Sequence, residues 1–397
     1  MTGTAADLQS RLANDLERLA STVIGLAEIN SGSFNVDGVN RCGERLGELV
    51  LELRPDRLEA PDIGPTPVMT DRGELDRQAV GRAFVATKRP DAPLQVLVFG
   101  HLDTVYPHDS AFQKVTRSGN TLLGPGVADC KGGLVAAVEA LRAIEAAPWR
   151  EEVGWRLAAV PDEEVGSAGS KAWLQALGDG CRLGLGFEPA LPSGGVAAAR
   201  KGSLTAHLVV HGRSAHVGRS HGDGRSAILA LARLVQRLEG HNGSPGVTVN
   251  CGRVSGGGVL NAVPDLAVGS FNVRVDSAAA HQTIETAFAA AVTEATSDGI
   301  EAMVHWTSAR PSKERSAALD ELLAEVVAAA EALGQSVLAE DTGGSCDGND
   351  LAAAGLVNVE SLGICGGGIH SPDEFALLES LPRRAALVVE IIDRHRA

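Results

Sequence analysis

The chain is poor in aromatic residues, with one tyrosine, four tryptophans and eight phenylalanines in 397 positions. It offers no ring platform for stacking bases and no basic stripe, and a formal charge of −15 repels a phosphate backbone, so nucleic acid is excluded as a partner. Cysteine is sparse as well. The six (Cys42, Cys130, Cys181, Cys251, Cys346, Cys365) lie far apart and form no CxxC pair, which argues against a disulfide framework or a thiolate zinc site and leaves them as reduced thiols. Long hydrophobic runs are missing too. The longest, at 95–100 and 386–392, fall far short of the roughly 20 residues that span a bilayer, so no membrane partner is expected. Residues 5–19 are polar and charged, with no basic segment leading into an apolar one, so no secretory signal is read and the cytoplasm is the expected compartment.

What the chain does have is length and 44% hydrophobic content, enough for a full core and two domains. Acids and bases roughly balance between 202 and 309, so the acid surplus belongs to the remainder. Helical stretches at 6–29 and 134–147 alternate with apolar runs at 95–99, 153–160, 182–187 and 356–359, the pattern of an α/β domain with a mainly parallel sheet. A hairpin at 112–123, turning at Arg117-Ser-Gly-Asn120, is expected at the periphery. The rhythm then changes. Strands at 204–210, 247–254, 266–275 and 302–307, with helices at 226–238 and 278–296, give the order βαββαβ of a ferredoxin-like unit. Residues 1–201 and 310–397, resuming with a helix at 317–333, therefore read as one domain interrupted by an insert at 202–309.

Ligands of an open parallel sheet gather at the carboxyl ends of its strands, and here those ends carry donor side chains. The first run is followed by Gly-His101-Leu-Asp103, the second by Pro-Asp162-Glu163-Glu164, the third by Glu188-Pro; the fourth leads through the loop 363–368 to His370. Asp129 stands just before a helix opened by Lys131-Gly-Gly. Two imidazoles and three carboxylates suit zinc first, and cobalt or manganese also. Asp129 is the natural bridge between two ions; Asp103 is placed to accept the second N–H of His101. Glu163 and Glu164, adjacent on a turn, point different ways, so one can bind metal while the other moves a proton.

The motifs His101-Leu-Asp-Thr, Gly126-Val-Ala-Asp129-Cys-Lys-Gly-Gly, Asp162-Glu-Glu-Val-Gly166, Phe187-Glu-Pro and His370-Ser-Pro, in that order over nearly the whole chain, resemble the di-zinc carboxypeptidase and aminoacylase family. Glutamate carboxypeptidase and acetylornithine deacetylase are members, and the likeness is strongest to the former. The resemblance implies a zinc-peptidase catalytic domain with an inserted lid and dimerisation domain, two Zn2+ per subunit, and a homodimer. By it, His101 and Glu188 hold one zinc, Glu164 and His370 the other, Asp129 bridges, Glu163 is the general base and Asp103 supports from behind. Ser214-Ala-His216 resembles the motif of a histidine that reaches the partner subunit's site to stabilise an oxyanion. Asn261, Arg274 and Arg310 match substrate-binding positions, Arg310 as the bidentate clasp of a carboxylate, and Lys201 with Thr342, Gly343, Gly344 and Ser345 would line the same pocket. Cys130 and Cys346 depart from the residues usual at those positions, without removing a ligand.

A single acid at a loop more often caps or is solvated; here it is the joint placement that argues for a site. The remaining histidines, among them His108, His207, His211, His221, His241, His281 and His305, are read as surface or structural, and Gly218-Arg-Ser-His-Gly222 as a loop, since no apolar strand runs into it as a serine elbow requires. The expected function is metal-dependent hydrolysis of the amide bond of a peptidyl or N-acyl amino acid bearing a free carboxylate. The alternatives are an aminoacylase or deacetylase reading the acyl side, and a metal-containing binding protein without turnover.

Overall fold

A computed structural model describes residues 5–396. Its central sheet runs in the order Arg57–Glu59, Phe84–Lys88, Val153–Val160, Leu94–His101, Leu183–Gly186, Asn358–Val359. The last four strands are parallel; Phe84–Lys88 runs antiparallel to both its neighbours, and it and Arg57–Glu59 had no clear signature in the sequence. Leu94–His101 is buried along its length, which is why it reads as an unbroken apolar run. Val96 and Val98 face a core shared with the helices Leu16–Ala27, Gly132–Ala146 and Ser380–Arg396, while Leu97 and Phe99 face Leu174 and Leu351 on the opposite side. Both faces are thus covered, and only the strand ends remain open to a ligand.

Glycine permits the close approach that sets the helix after Asp129. A β-carbon on Gly133 would lie 2.2 Å from the carbonyl oxygen of Phe187, so this helix start can be drawn against the end of the Leu183–Gly186 strand only without a side chain.

The insert comprises Gly202–His211, Ala227–Glu239, Val247–Gly256, Leu266–Val275, Ala278–Ala295 and Glu301–Arg310. Its strands form an antiparallel sheet in the order Val247–Gly256, Leu266–Val275, Gly202–His211, Glu301–Arg310. Leu204, Ala206, Leu208, Phe271 and Val273 pack with Leu231, Ile284 and Phe288 of the two helices into a separate core. Strand alternation turns Ser203, Thr205 and His207, with Ser270, Asn272 and Arg274, to the other face. A hairpin, Thr66–Met69 and Leu75–Gln78, crosses that face, Met69 packing on Val209 and Val268.

Two local expectations change. The single helix at 6–29 is two, Ala5–Ala13 and Leu16–Ala27; Asp15 sits at φ −119°, ψ 26°, outside the helical region, and its side chain receives Arg18. The hairpin of Thr116–Ser118 and Thr121–Leu123 is not merely peripheral: it pairs with Phe375–Leu377, which pairs with Gly366–Gly367, so this small sheet holds both ends of the loop carrying His370. Among the described residues no helix is long and apolar enough to cross a membrane.

Candidate metal centre and active-site cleft

His101 closes its strand at the sheet rim. Its Nε2 lies 2.9 Å from Asp129 Oδ1 and 4.0 Å from Glu188 Oε1. The other Asp129 oxygen lies 3.3 Å from His370 Nε2, which is 3.2 Å from Glu164 Oε2. The structure therefore gathers all five candidate donors, with Asp129 between two sets. One ligand atom each of His101, Asp129 and Glu164 lies within 4.8 Å of the others.

Each donor has a local reason for its position. The turn presenting Asp129 is tied down by Glu374, whose Oε1 accepts the N–H groups of Ala128 and Asp129 and whose Oε2 accepts that of Gly126, all at 3.0 Å. The Asp129–Cys130 peptide is cis. The Glu163–Glu164 turn is held by Asp103, whose carboxylate accepts both backbone N–H groups at 3.1 Å and the Ser33 hydroxyl at 2.7 Å. Asp103 also stands behind His101. Its carboxylate is occupied by the turn and stands 3.6 Å from His101 Nδ1, while its backbone carbonyl, at 2.9 Å, orients the ring.

Burial pushes the carboxyls of Glu164 and Glu188 above the usual range. Burial also opposes charge on Asp129, yet hydrogen bonds with His101 and His370 outweigh it and hold that carboxyl below the usual range. Contacts with Asp129 and Glu164 push His370 up to about 10. One buried and two partly buried carboxylates thus face two imidazoles, a set of oxygen and nitrogen donors with excess negative charge that fits divalent cations of the zinc, cobalt or manganese kind.

Beside the cluster opens a cavity of about 440 Å³, lined by Glu163, Glu164, Arg310, Ser345 and His370 on one side and by the polar face of the insert sheet on the other. Arg274 lines it, with Nε donating to Asn272 Oδ1 at 2.9 Å. Arg310 lines it too, but it is not a free clasp. Its Nη1 donates to Glu163 Oε1 at 2.6 Å and its Nη2 to Asp347 Oδ1 at 2.8 Å. Lys201, Thr342, Gly343 and Gly344 flank the cavity without lining it: Lys201 N donates to Thr342 O at 3.2 Å, and Ser345 is the residue of that loop that reaches in. Asn261 and His216 do not join this cluster within the chain. They lie on the exposed end of the insert, the His216 ring accepting from Gly218 N and the Asn261 carbonyl from Val217 N.

Sequence reasoning missed Glu374, Asp347 and Asp350. Glu374 follows His370-Ser-Pro and Asp347 opens a helix after the glycine loop, so acids were visible there, though not what they face. His207, read as structural, lines the cavity, its ring nitrogens 2.9 Å from Ser270 Oγ and 3.0 Å from Thr307 Oγ1. A larger groove of about 720 Å³ between the insert helices carries none of the candidate donors.

Known proteins resemble the chain in both sequence and fold. Residues 97–394 match the model of peptidase family M20/M25/M40. Carboxypeptidase G2 of Pseudomonas sp. (strain RS-16) is 26% identical over 400 residues, spanning 98% of this chain and 90% of that protein. A succinyl-diaminopimelate desuccinylase of Methylibium petroleiphilum is 29% identical over 267 residues, 64% of this chain and 68% of that one. In fold, a tripeptidase of Staphylococcus aureus superimposes with a TM-score of 0.74 at 21% identity, covering 96% of this chain and 98% of that one. An M20 family metallo-carboxypeptidase of Sulfolobus solfataricus does so with 0.73 at 15% identity, covering 95% and 99%. With a family match that begins in the first parallel strand and ends in the last helix, the chain belongs to peptidase family M20/M25/M40 and is a metal-dependent hydrolase of amide bonds.

Proposed function

We propose that the substrate is a peptidyl or N-acyl amino acid with a free carboxylate, cleaved at a pair of zinc ions. His101 and Glu188 would hold one ion and Glu164 and His370 the other, with Asp129 shared between them. The observation that carries this reading is that the two oxygens of Asp129 address two different histidines, at 2.9 and 3.3 Å, each set completed by its own glutamate. When bound, such ions polarise the scissile carbonyl and lower the pKa of water.

The protein's own groups supply the rest. Glu163, on the turn next to Glu164 and open to the cavity, is the general base: it takes the proton of the attacking water and passes it to the leaving amine. Asp103 fixes its position through the backbone of that turn. Arg274 and Arg310 receive the substrate carboxylate from the insert side.

Residues 202–309 act as a ferredoxin-like lid and dimerisation domain, with 1–201 and 310–397 forming the catalytic domain around it. Exposed Val254, Val259 and Leu260 on the insert support a contact with a second copy. His216 and Asn261, away from their own cluster, then serve the partner's site, where His216 stabilises the oxyanion. The named activity of the desuccinylase relatives supports a second reading, in which selectivity lies on the acyl side. Both are tested by hydrolysis of a panel of N-acyl and peptidyl amino acids with metal-stripped and zinc-restored protein. Zinc-dependent release of one amino acid from many acyl partners supports the first reading, one acyl group from many amines the second. No turnover of any member overturns both.

A further inference from the structure

Arg310 and Arg274 occupy one cross-strand row of the insert sheet, both registered against Ser203, and both line the cavity. Their states differ. Arg274 has a single side-chain hydrogen bond, through Nε, and among the described residues its terminal nitrogens have no partner. Arg310 is 5% exposed and surrounded by carboxylates. Its Nη2 meets Asp347 Oδ1 at 2.8 Å and Ser167 Oγ at 2.5 Å. Its Nε stands 3.4 Å from Asp350 Oδ2, a close ion pair in poor hydrogen-bond geometry, and the other Asp350 oxygen is 2.6 Å from Lys171 Nζ. Only Nη1 is committed to a group of the reaction itself, Glu163 Oε1, at 2.6 Å.

We propose that Arg310 holds the general base Glu163 in reserve, and that the substrate's carboxylate releases it by taking over Nη1. The inference rests on the reading that Glu163 is the base and that the substrate carries a carboxylate. A guanidinium is a planar fork. With its Nε and Nη2 edge fixed by Asp350, Asp347 and Ser167, the Nη1 arm stays aimed at one place. While it is there, Glu163 Oε1 is held toward the guanidinium, and the carboxylate cannot turn that oxygen to a water. A carboxylate arriving between Arg274 and Arg310 presents the same charge and geometry as Glu163, so the exchange replaces one charge-assisted hydrogen bond by another. Glu163 is then free to turn to its water. An uncharged substrate terminus offers only a neutral acceptor, too weak to displace the charged Oε1 of Glu163 from Nη1. The carboxylate is therefore needed for turnover and not for binding alone, which places its effect in kcat. Asp347 and Asp350 are positioning residues in this scheme.

The test uses the zinc-loaded full chain, with the best N-acyl amino acid of the panel and its C-terminal carboxamide, each with added sodium acetate or with sodium chloride at equal ionic strength. The expected result is a kcat at saturation lower for the carboxamide by about tenfold or more, the scale of one charge-assisted hydrogen bond. Acetate, and not chloride, is expected to raise the carboxamide's kcat. In Arg310→Met the kcat values of the two substrates should converge. Because that variant leaves buried acids unpaired and can fail to fold, the acetate comparison on the unaltered enzyme decides the matter without it. Equal kcat for both substrates, with only KM raised for the carboxamide, overturns the proposal and makes Arg310 a plain clamp while the proposed hydrolysis stands. A carboxamide kcat insensitive to acetate overturns it too. A panel with no hydrolysed member removes the proposed function, and this inference with it.

Discussion

Replacing Glu374 by glutamine is expected to loosen the turn that presents Asp129, and the cost can be worked out atom by atom. Glutamine keeps an acceptor for the N–H groups of Ala128 and Asp129, both at 3.0 Å in the native structure. On the other side it sets an NH2 against the Gly126 N–H, where a carboxylate oxygen accepted at 3.0 Å. The Tyr106 hydroxyl, 2.7 Å from Glu374 Oε2 and 2.8 Å from Ser371 O, adapts by giving its proton to Ser371 and accepting from the amide. The net loss is one charge-assisted bond and one orphaned buried donor, about 1–3 kcal/mol. Melting should fall by about 2–4 °C per kcal/mol, the scale for domains of 150–250 residues. Because the turn carries Asp129, zinc affinity should fall by about 10–100-fold, as is usual when a group supporting a metal ligand is removed. Competition for zinc against a chromophoric chelator measures the second effect and thermal unfolding of metal-free protein the first. Tyr106→Phe, which removes one hydroxyl and leaves the three backbone bonds, should cost about 1 kcal/mol and little affinity. Glu374→Ala is less informative: three orphaned donors amount to roughly 3–9 kcal/mol, comparable with the whole stability of a domain at about 5–15 kcal/mol. A Glu374→Gln protein with unaltered melting and zinc affinity would refute the reasoning.

Glu163→Ala should retain zinc, measured by elemental analysis, while turnover falls by about 10²–10⁴ from loss of proton transfer; full activity would remove Glu163 from the mechanism. Chelation should abolish hydrolysis and zinc restore it, read in a stopped assay with each panel substrate. Burial, with His305 and Arg253 nearby, pushes His207 down to about 4 from an ordinary 6.5. Between those values the unfolded chain takes up a proton that the folded one refuses, so this contribution to stability is present above 6.5 and is lost as pH falls through the window. His207→Gln should flatten that part of the acid-unfolding curve, and an NMR titration showing ordinary protonation of His207 would contradict it. If His216 acts across a dimer, mixing inactive Glu163→Ala and His216→Ala chains should restore about a quarter of wild-type activity, since half of randomly paired dimers carry one intact site of two; no recovery after subunit exchange would place His216 outside the partner's site.

The strand-end rule made the candidate donors legible in the sequence. His101, Glu163, Glu164 and Glu188 follow apolar runs whose length and flanks mark parallel strands, and Asp129 precedes a helix whose glycines announce close packing. These are signals within a dozen residues of the side chain concerned. The strands of the second sheet were legible for the same reason, because the alternation of Gly202–His211 and Leu266–Val275 separates an apolar face from a polar one. What faces that polar side was not readable. Only the tertiary structure brings Arg310 onto Glu163, 147 residues away, and Glu374 beneath Gly126, 248 residues away. Only packing sets the carboxylate of Asp103 against the Glu163–Glu164 turn and carries His207 into the cavity wall. Periodicity is a property of neighbouring backbone units and survives in the linear order. The pairing of a buried charge is decided by which distant group fills the space beside it, because an unpaired charge there is too costly to keep.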